Sequence, residues 1–185
     1  KRLFVKSLLA VAAIAAVGVV SAQERVLKFG LSGPEGHPAV AGMKAFAAAV
    51  ESKSGGKIKV QLFLNSTLGT DQAIVSSIKG GTVDMAVMNS GILASEAKEL
   101  AIFDFPFLFA NEKESDAIVD GPVGKKMHGL LEAKGLIGLS YWELGYRHIT
   151  NSKRPIKVPA DLKGIKLRVP EGKWRVKMFQ AYGAN

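Results

Sequence analysis

Between residues 25 and 88, the spacing of the apolar residues switches repeatedly between the strand period and the helix period, and this pattern limits the possible folds. Short segments with apolar residues at alternate positions, which is typical of strands, are separated by segments with apolar residues at helical spacing. The strand patterns cover residues 25–31, 58–64 and 83–88, and the helical patterns cover 38–53 and 71–79. Because helices that alternate with strands connect parallel neighbours, this order predicts an α/β fold with a doubly wound parallel sheet.

The rest of the chain has a less regular pattern. Further helices are predicted at residues 112–120, 123–134 and 173–181, and further strands at 136–142, 147–151 and 165–169. An aromatic run at residues 103–109 contains Pro106 and therefore fits poorly inside a central strand. Beyond Gly145 the pattern changes to short strands joined by proline turns, which predicts a first α/β lobe at 23–145 and the start of a second, truncated lobe at 146–185.

Residues 1–22 have the layout of a secretory signal peptide. A basic start precedes the 13 apolar or small residues from Leu8 to Val20, and Ala22 ends the segment. A helix that spans a bilayer needs about 20 apolar residues, so a cleaved signal is favoured over an uncleaved anchor. The mature chain is therefore predicted to begin at Gln23, to be periplasmic, and to have no stable membrane insertion once the signal is removed.

Charge and cysteine content exclude several kinds of site. The chain carries a formal net charge of +9 and no cysteine, so it has no disulfide framework and no thiolate metal site. Residues 147–177 contain ten basic and two acidic residues. Such a block favours an anionic partner, whether nucleic acid, lipid or a small acid. The predicted export argues against nucleic acid.

No catalytic, cofactor or metal motif is complete. Two residues after Ser32 the chain has Pro34, where a nucleophile elbow needs glycine. Directly after Lys57 it has Ile58, where a phosphate-binding loop needs serine or threonine. The three histidines are isolated in sequence and are interpreted as surface or structural residues: His37, His128 and His148. The sequence therefore predicts a protein that is not an enzyme and that uses no cofactor and no metal.

Three stretches together resemble one family. The first combines Leu-Gly-Thr-Asp at residues 68–71 with Gly-Gly-Thr-Val-Asp-Met-Ala at 80–86, and the second is Phe-Pro-Phe-Leu-Phe at 105–109. The third runs from Gly-Tyr-Arg-His-Ile-Thr-Asn-Ser at 145–152 to Asp-Leu-Lys-Gly-Ile-Lys-Leu-Arg-Val-Pro at 161–170. In order and content they resemble the DctP-type periplasmic solute-binding proteins of TRAP transporters.

The resemblance implies a two-lobed periplasmic binding protein fold, with the first lobe nearly complete and the second only begun. Such a protein closes on an organic acid and delivers it to membrane permease subunits driven by an ion gradient. The family arginine that grips the substrate carboxylate falls on Arg168, and a second family arginine falls on Arg147. A guanidinium matches a carboxylate with two parallel hydrogen bonds, which a lysine does not. The alternative is that both are surface arginines in a basic stretch.

The resemblance also implies ligand contacts from the first lobe. These contacts fall on Ser32, Asp71, Asn89 and Ser90. All follow a strand or begin a helix, where open α/β sheets usually bind ligands. Asp71 fits a helix cap equally well, and Glu171 fits either a ligand contact or a partner of Arg168. Trp142 is interpreted as a core residue rather than a cleft residue, because it ends an apolar strand pattern.

The chain departs from the family pattern in two respects. Asn89 and Ile92 stand where members that bind sialic acid have an acidic residue and a nearby arginine, so sialic acid is not expected. Family members also continue for roughly another domain, so this chain is expected to be a fragment. Three functions remain open: a carrier of carboxylates for a TRAP transporter, a secreted cationic domain that binds anionic polymers or membrane surfaces through residues 147–177, and an exported enzyme of unknown reaction, which no motif supports.

Overall fold

The computed structural model describes residues 24–170 and 172–185, so the signal peptide predicted at 1–22 lies outside the described residues. Three parallel strands form one sheet in the order β2-β1-β3. They are β1 (Arg25–Gly30), β2 (Ile58–Phe63) and β3 (Met85–Ala86). Phe29 in the central strand pairs with Leu62 on one side and Met85 on the other. The predicted α/β fold with a parallel sheet is confirmed.

Two helices connect these strands. Helix α1 (Ala39–Lys53) follows Pro38, and helix α2 (Asp71–Lys79) ends at Gly80. The main core is formed where α1 packs on the sheet, and its buried members are Phe29, Leu31, Ala39, Val40 and Met43. Helix α1 therefore covers one face of the sheet and leaves the carboxyl ends of the strands free for a site.

A second core joins the middle of the chain to α2. Two 3₁₀ helices (Ile92–Ser95 and Lys98–Asp104) are followed by α3 (Glu112–Val119) and α4 (Pro122–Glu132). The buried members of this core are Val75, Ala97, Leu100, Leu131 and Leu136. The proline in the aromatic run at 103–109 predicted that this run is not a central strand, and its residues form no strand in the described chain. The second 3₁₀ helix ends within the run, at Asp104.

The strands predicted after residue 135 do not form. The backbone from 137 to 157 makes no backbone hydrogen bond with any other described residue, so the predicted strands at 136–142 and 147–151 lack a ladder partner. The predicted strand at 165–169 pairs only with Asn185 among the described residues: the Leu167 amide donates to the Asn185 carbonyl oxygen at 2.9 Å, and the Asn185 amide donates to the Ile165 carbonyl oxygen at 2.8 Å. A 3₁₀ helix (Pro159–Leu162) and helix α5 (Lys173–Ala181) complete this region. Within the described ranges, no helix combines the length and the apolar character needed to cross a bilayer.

A half-buried aromatic pair joins α4 to the chain that follows it. The His128 imidazole stacks on the Tyr141 ring with centroids 4.4 Å apart and planes at 5°. The Tyr141 hydroxyl donates to the Gly124 carbonyl oxygen at 3.2 Å, and a side chain on Gly138 would collide with the imidazole. Burial lowers the pKa of His128 below its ordinary value of 6.5, because the charged form loses hydration. His128 is therefore a structural residue.

Acidification is expected to destabilise the fold through His128. Because the pKa of His128 is lower in the folded than in the unfolded protein, its stabilising effect is present above about pH 6.5 and is lost as the pH falls. Thermal unfolding should show a midpoint that drops by a few degrees between about pH 7.5 and about pH 5.5, and the drop should be smaller in His128→Phe. The exposed His148→Gln should keep the original pH dependence, whereas an unchanged drop in His128→Phe would contradict this role.

Candidate functional site

Several polar residues predicted as ligand contacts lie at the carboxyl end of the sheet. Ser32 follows β1, Asn89 and Ser90 follow β3, and Asp71 is the first residue of α2. Carboxyl ends of parallel strands meet at one edge of a sheet, which is where ligands bind in this fold class. The Asn89 Oδ1 atom accepts a hydrogen bond from the Gly91 amide at 2.9 Å, which fixes the turn after β3. All four residues are half-buried, so each remains accessible to a solute.

Asp71 is not the cap of α2. That place is taken by Thr70, whose hydroxyl oxygen accepts a hydrogen bond from the Ala73 amide at 3.3 Å. The helix-cap alternative for Asp71 is therefore wrong. The Oδ1 atom of Asp71 is buried and accepts no hydrogen bond from the part of the chain that the structure describes. Since a buried acceptor without a donor is costly, Asp71 is well suited to accept a hydrogen bond from a bound solute.

Three guanidinium groups of the basic stretch lie close together. Arg147 and Arg168 are exposed, and Arg175 in the first turn of α5 is half-buried. Partial burial of the Arg147 guanidinium lowers its pKa, the positive charges of Arg175 and Arg168 lower it further, and the Asp104 carboxylate raises it. Mutual effects of this kind require short distances between the charges. The structure therefore brings the two arginines predicted from the sequence into one cationic cluster, together with a third that was not predicted.

Asp104 is the counter-ion of this cluster. Its side chain is 2% exposed, and its Oδ1 atom pairs with Nη2 of Arg175. Burial raises the pKa of Asp104, and the nearby Arg175 and Arg147 offset only part of this effect. A side chain on Gly91 or on Gly172 would collide with the carboxylate. Two glycines therefore make the room in which the ion pair is buried.

A cleft of about 600 Å³ lies beside this ion pair. Its walls come from the two 3₁₀ helices and from the start of α5, and they include Ile92, Asp104 and Trp174. The Trp174 ring stacks on Phe105 with centroids 4.9 Å apart, which fixes one wall. Sites for small molecules commonly have volumes of several hundred Å³, so the cleft can admit a small organic acid.

The residues that line the cleft differ from the site residues predicted from the sequence, but some of them are adjacent in the chain. None of the six described candidates lines this cleft directly. Gln72 and Gly91 do line it, and they are adjacent in sequence to Asp71 and Ser90. The polar residues at the edge of the sheet are therefore next in sequence to residues that line the cleft.

Two further sequence interpretations have different outcomes. Glu171 lies outside the described residues, so its role as a ligand contact or as a partner of Arg168 stays a prediction. The Trp142 ring packs edge-on against Phe29 with centroids 6.4 Å apart, and it also lies against Gly42 of α1. Phe29 belongs to the buried core, but Trp142 itself is 38% exposed, so it lies at the edge of the core and its interpretation as a core residue is wrong.

Sequence reasoning missed both members of the ion pair. One signal for Asp104 was present, because it is the only charged residue in the aromatic run at 103–109, and an aspartate is rarely buried unless it is paired. No comparable signal distinguished Arg175 from the nine other basic residues between 147 and 177.

An α/β fold whose charged groups meet beside a cleft agrees with the predicted class of small-molecule binding proteins. The model of the DctP family, bacterial extracellular solute-binding protein family 7, matches residues 29–185. This chain therefore belongs to that family. Membership confirms the prediction of a binding protein that is not an enzyme, and it gives no support to the alternative of a cationic domain for anionic polymers.

Three known proteins show the extent of the similarity. The 2,3-diketo-L-gulonate-binding periplasmic protein of Escherichia coli is 37% identical over 175 residues, which are 95% of this chain and 53% of the relative. The C4-dicarboxylate-binding periplasmic protein of Vibrio cholerae is 32% identical, over 99% of this chain and 55% of the relative. The crystal structure of the sugar acid binding protein of Advenella mimigardefordensis with galactonate is 41% identical with a TM-score of 0.85, over 88% of this chain and 53% of that one. The chain thus spans about half the length of these relatives.

Proposed function

We propose that this chain belongs to the solute-binding component of a TRAP-type transporter, which captures an organic acid in the periplasm and delivers it to membrane permease subunits. The observation that supports this function most directly is the cluster of Arg147, Arg168 and Arg175, in which Asp104 is the described counter-ion of Arg175 and Arg147. Three guanidinium groups with one counter-ion among the described residues attract an anion. In a family of solute-binding proteins, the natural anion is the solute.

In the proposed site, Arg168 holds the substrate carboxylate through two parallel hydrogen bonds, and Arg147 supplies a second cation. Arginine suits this role because its planar fork of donors matches the two carboxylate oxygens. The remaining contacts in the proposal come from Ser32, Asn89, Ser90 and Glu171. These residues provide hydroxyl, amide and carboxylate groups, which are able to bond to polar substituents of the acid.

Asp71 favours a substrate that carries hydroxyl groups as well as a carboxylate. Its buried Oδ1 atom accepts no hydrogen bond from the described chain and therefore needs a donor. A hydroxyl group provides that donor, whereas the second carboxylate of a dicarboxylic acid is only an acceptor when ionised. The similar sugar acid binding protein was crystallised with galactonate. We therefore propose that hydroxylated monocarboxylic acids are preferred over simple dicarboxylic acids.

The proposal includes the export and the division into lobes that the sequence suggested. The signal at 1–22 directs the chain to the periplasm, residues 23–145 form the first lobe, and 146–185 begin the second. Asp104 and Arg175 then belong to different lobes, so their ion pair crosses the boundary. An anion site at such a boundary is expected in a protein that closes two lobes on its substrate.

Calorimetric titration of the mature protein, purified from the periplasm and defined by its intact mass, tests this function. D-galactonate is expected to bind, and succinate is expected to bind at least about tenfold more weakly because it leaves Asp71 without a donor. Galactitol, which has the hydroxyl groups but no carboxylate, is expected not to bind. Equal binding of galactitol and D-galactonate, or binding of neither acid, would contradict the proposed function.

A further inference from the structure

The ion pair with Asp104 engages only one of the two terminal nitrogen atoms of the Arg175 guanidinium. Its Nη2 atom is bound to Asp104, and the side chain as a whole is 13% exposed. The Nη1 atom is buried and has no hydrogen-bond partner among the residues that the structure describes. Leaving a charged donor buried and unbonded is unfavourable, since the water that it loses is not replaced. The arrangement therefore leaves the Nη1 arm of the guanidinium, with its two N–H donors, unused.

The surroundings of Arg175 hold this donor in place. Asp104 fixes one arm of the planar fork, which determines where the other arm lies. The preceding residue, Trp174, stacks on Phe105 at 4.9 Å and fixes the first turn of α5 against the same segment that carries Asp104. The neighbouring residues Trp174 and Arg175 thus contact the neighbouring residues Phe105 and Asp104. The guanidinium has little freedom to turn its unused arm elsewhere.

The ion-pair partner of Arg175 and two neighbours of Arg175 in sequence border the cleft. Asp104, Trp174 and Gly172 line the cleft of about 600 Å³. The positive charge of Arg175 also lowers the pKa of Arg147, so the two guanidinium groups are close. Arg175 is therefore in contact with one residue of the cleft wall and close to Arg147, one of the arginines assigned to the substrate carboxylate.

We propose that Arg175 is a substrate-contacting residue, whose Nη1 atom donates a hydrogen bond to an oxygen of the bound acid while Asp104 positions the guanidinium. This inference rests on the proposed function and adds to it a third arginine. The acid would complete the hydrogen bonds of a side chain that is already in place. Prior placement of a donor lowers the entropy that is lost when the acid binds.

Titration of D-galactonate into the mature protein and two Arg175 variants tests this role. Arg175→Met keeps the length of the side chain and removes its donors, and it is expected to weaken binding roughly tenfold to a hundredfold, the usual loss for a hydrogen bond to a charged group. Arg175→Lys restores a cation for Asp104 but lacks the second arm. We expect it to recover much of the thermal unfolding midpoint lost in Arg175→Met, and to remain about tenfold weaker in binding than the unmodified protein. Lys153→Met removes an exposed cation of the same basic stretch, so it is the control for loss of charge and should bind normally.

The outcomes separate this role from a purely structural one. If Arg175 only stabilises α5, Arg175→Lys will regain affinity together with its unfolding midpoint, and the inference is wrong. Unchanged affinity in Arg175→Met, alongside binding by the unmodified protein, would also overturn it while leaving the proposed function intact. Absence of binding by the unmodified protein would overturn both.

Discussion

Arg168→Ala is expected to weaken the binding of D-galactonate by about 2–5 kcal/mol, which is roughly 30-fold to several thousandfold in Kd. The variant removes the two charge-assisted hydrogen bonds proposed between Arg168 and the substrate carboxylate. It also leaves that carboxylate beside Arg147 without its main partner. Calorimetric titration measures the loss, which should appear for every carboxylic acid that the unmodified protein binds.

Lys157→Ala is the matched control for this prediction. Lys157 is an exposed cation of the same basic stretch, so its removal changes the net charge by the same amount as the removal of Arg168. Its affinity should stay within about twofold of the unmodified protein, because screening makes single exposed charges weak at physiological salt. Equal losses in the two variants would indicate attraction by the whole cationic surface, and normal binding by Arg168→Ala would remove the central residue of the proposed site.

Parts of the fold could be predicted from the sequence because their signals are local. Helix α2 was predicted at 71–79 and is found at Asp71–Lys79. A threonine cap at one end and Gly80 at the other define it without any reference to the rest of the chain. The strands β1 and β2 also agree within one residue, because alternation of apolar residues along six or seven positions is a strong pattern.

The predicted strands after residue 135 fail for a physical reason. Alternation determines which side chains share a face, but a strand also needs a neighbouring strand whose backbone groups complete the ladder. For residues 137–157 the described chain contains no such neighbour. Where a partner is present, as Asn185 is for Leu167, the pairing begins. A periodic pattern therefore predicts the capacity to form a strand and not the strand itself.

Part of the candidate site could likewise be predicted from the sequence, and part could not. Arg147 and Arg168 were predicted from residue type and motif, and the structure brings them together. Asp104 and Arg175 are 71 positions apart, and their pairing depends on how α5 packs against the second 3₁₀ helix. No local pattern specifies such a contact. Contacts of this kind are what the structure adds to the sequence.

Asp104→Ala is expected to lower the free energy of unfolding by about 3–5 kcal/mol. Burial raises the pKa of Asp104 even though Arg175 and Arg147 are close, so the attraction between the charges does not fully offset the loss of hydration. The intact pair therefore contributes little net stability. Removing the carboxylate alone is far more costly, because Arg175 then remains buried near Arg147 without its described counter-ion. Urea unfolding followed by circular dichroism measures the change.

A second substitution tests whether the cost comes from the uncompensated charge. The double variant Asp104→Ala with Arg175→Met removes both charges and should be more stable than Asp104→Ala alone, since no buried cation is left. Asp116→Ala removes an exposed carboxylate of α3 and should change the free energy of unfolding by less than about 0.5 kcal/mol. If the two single losses simply add in the double variant, Asp104 stabilises the fold through packing rather than through Arg175. The arginine cluster would then need another explanation for how three like charges are held together beside the cleft.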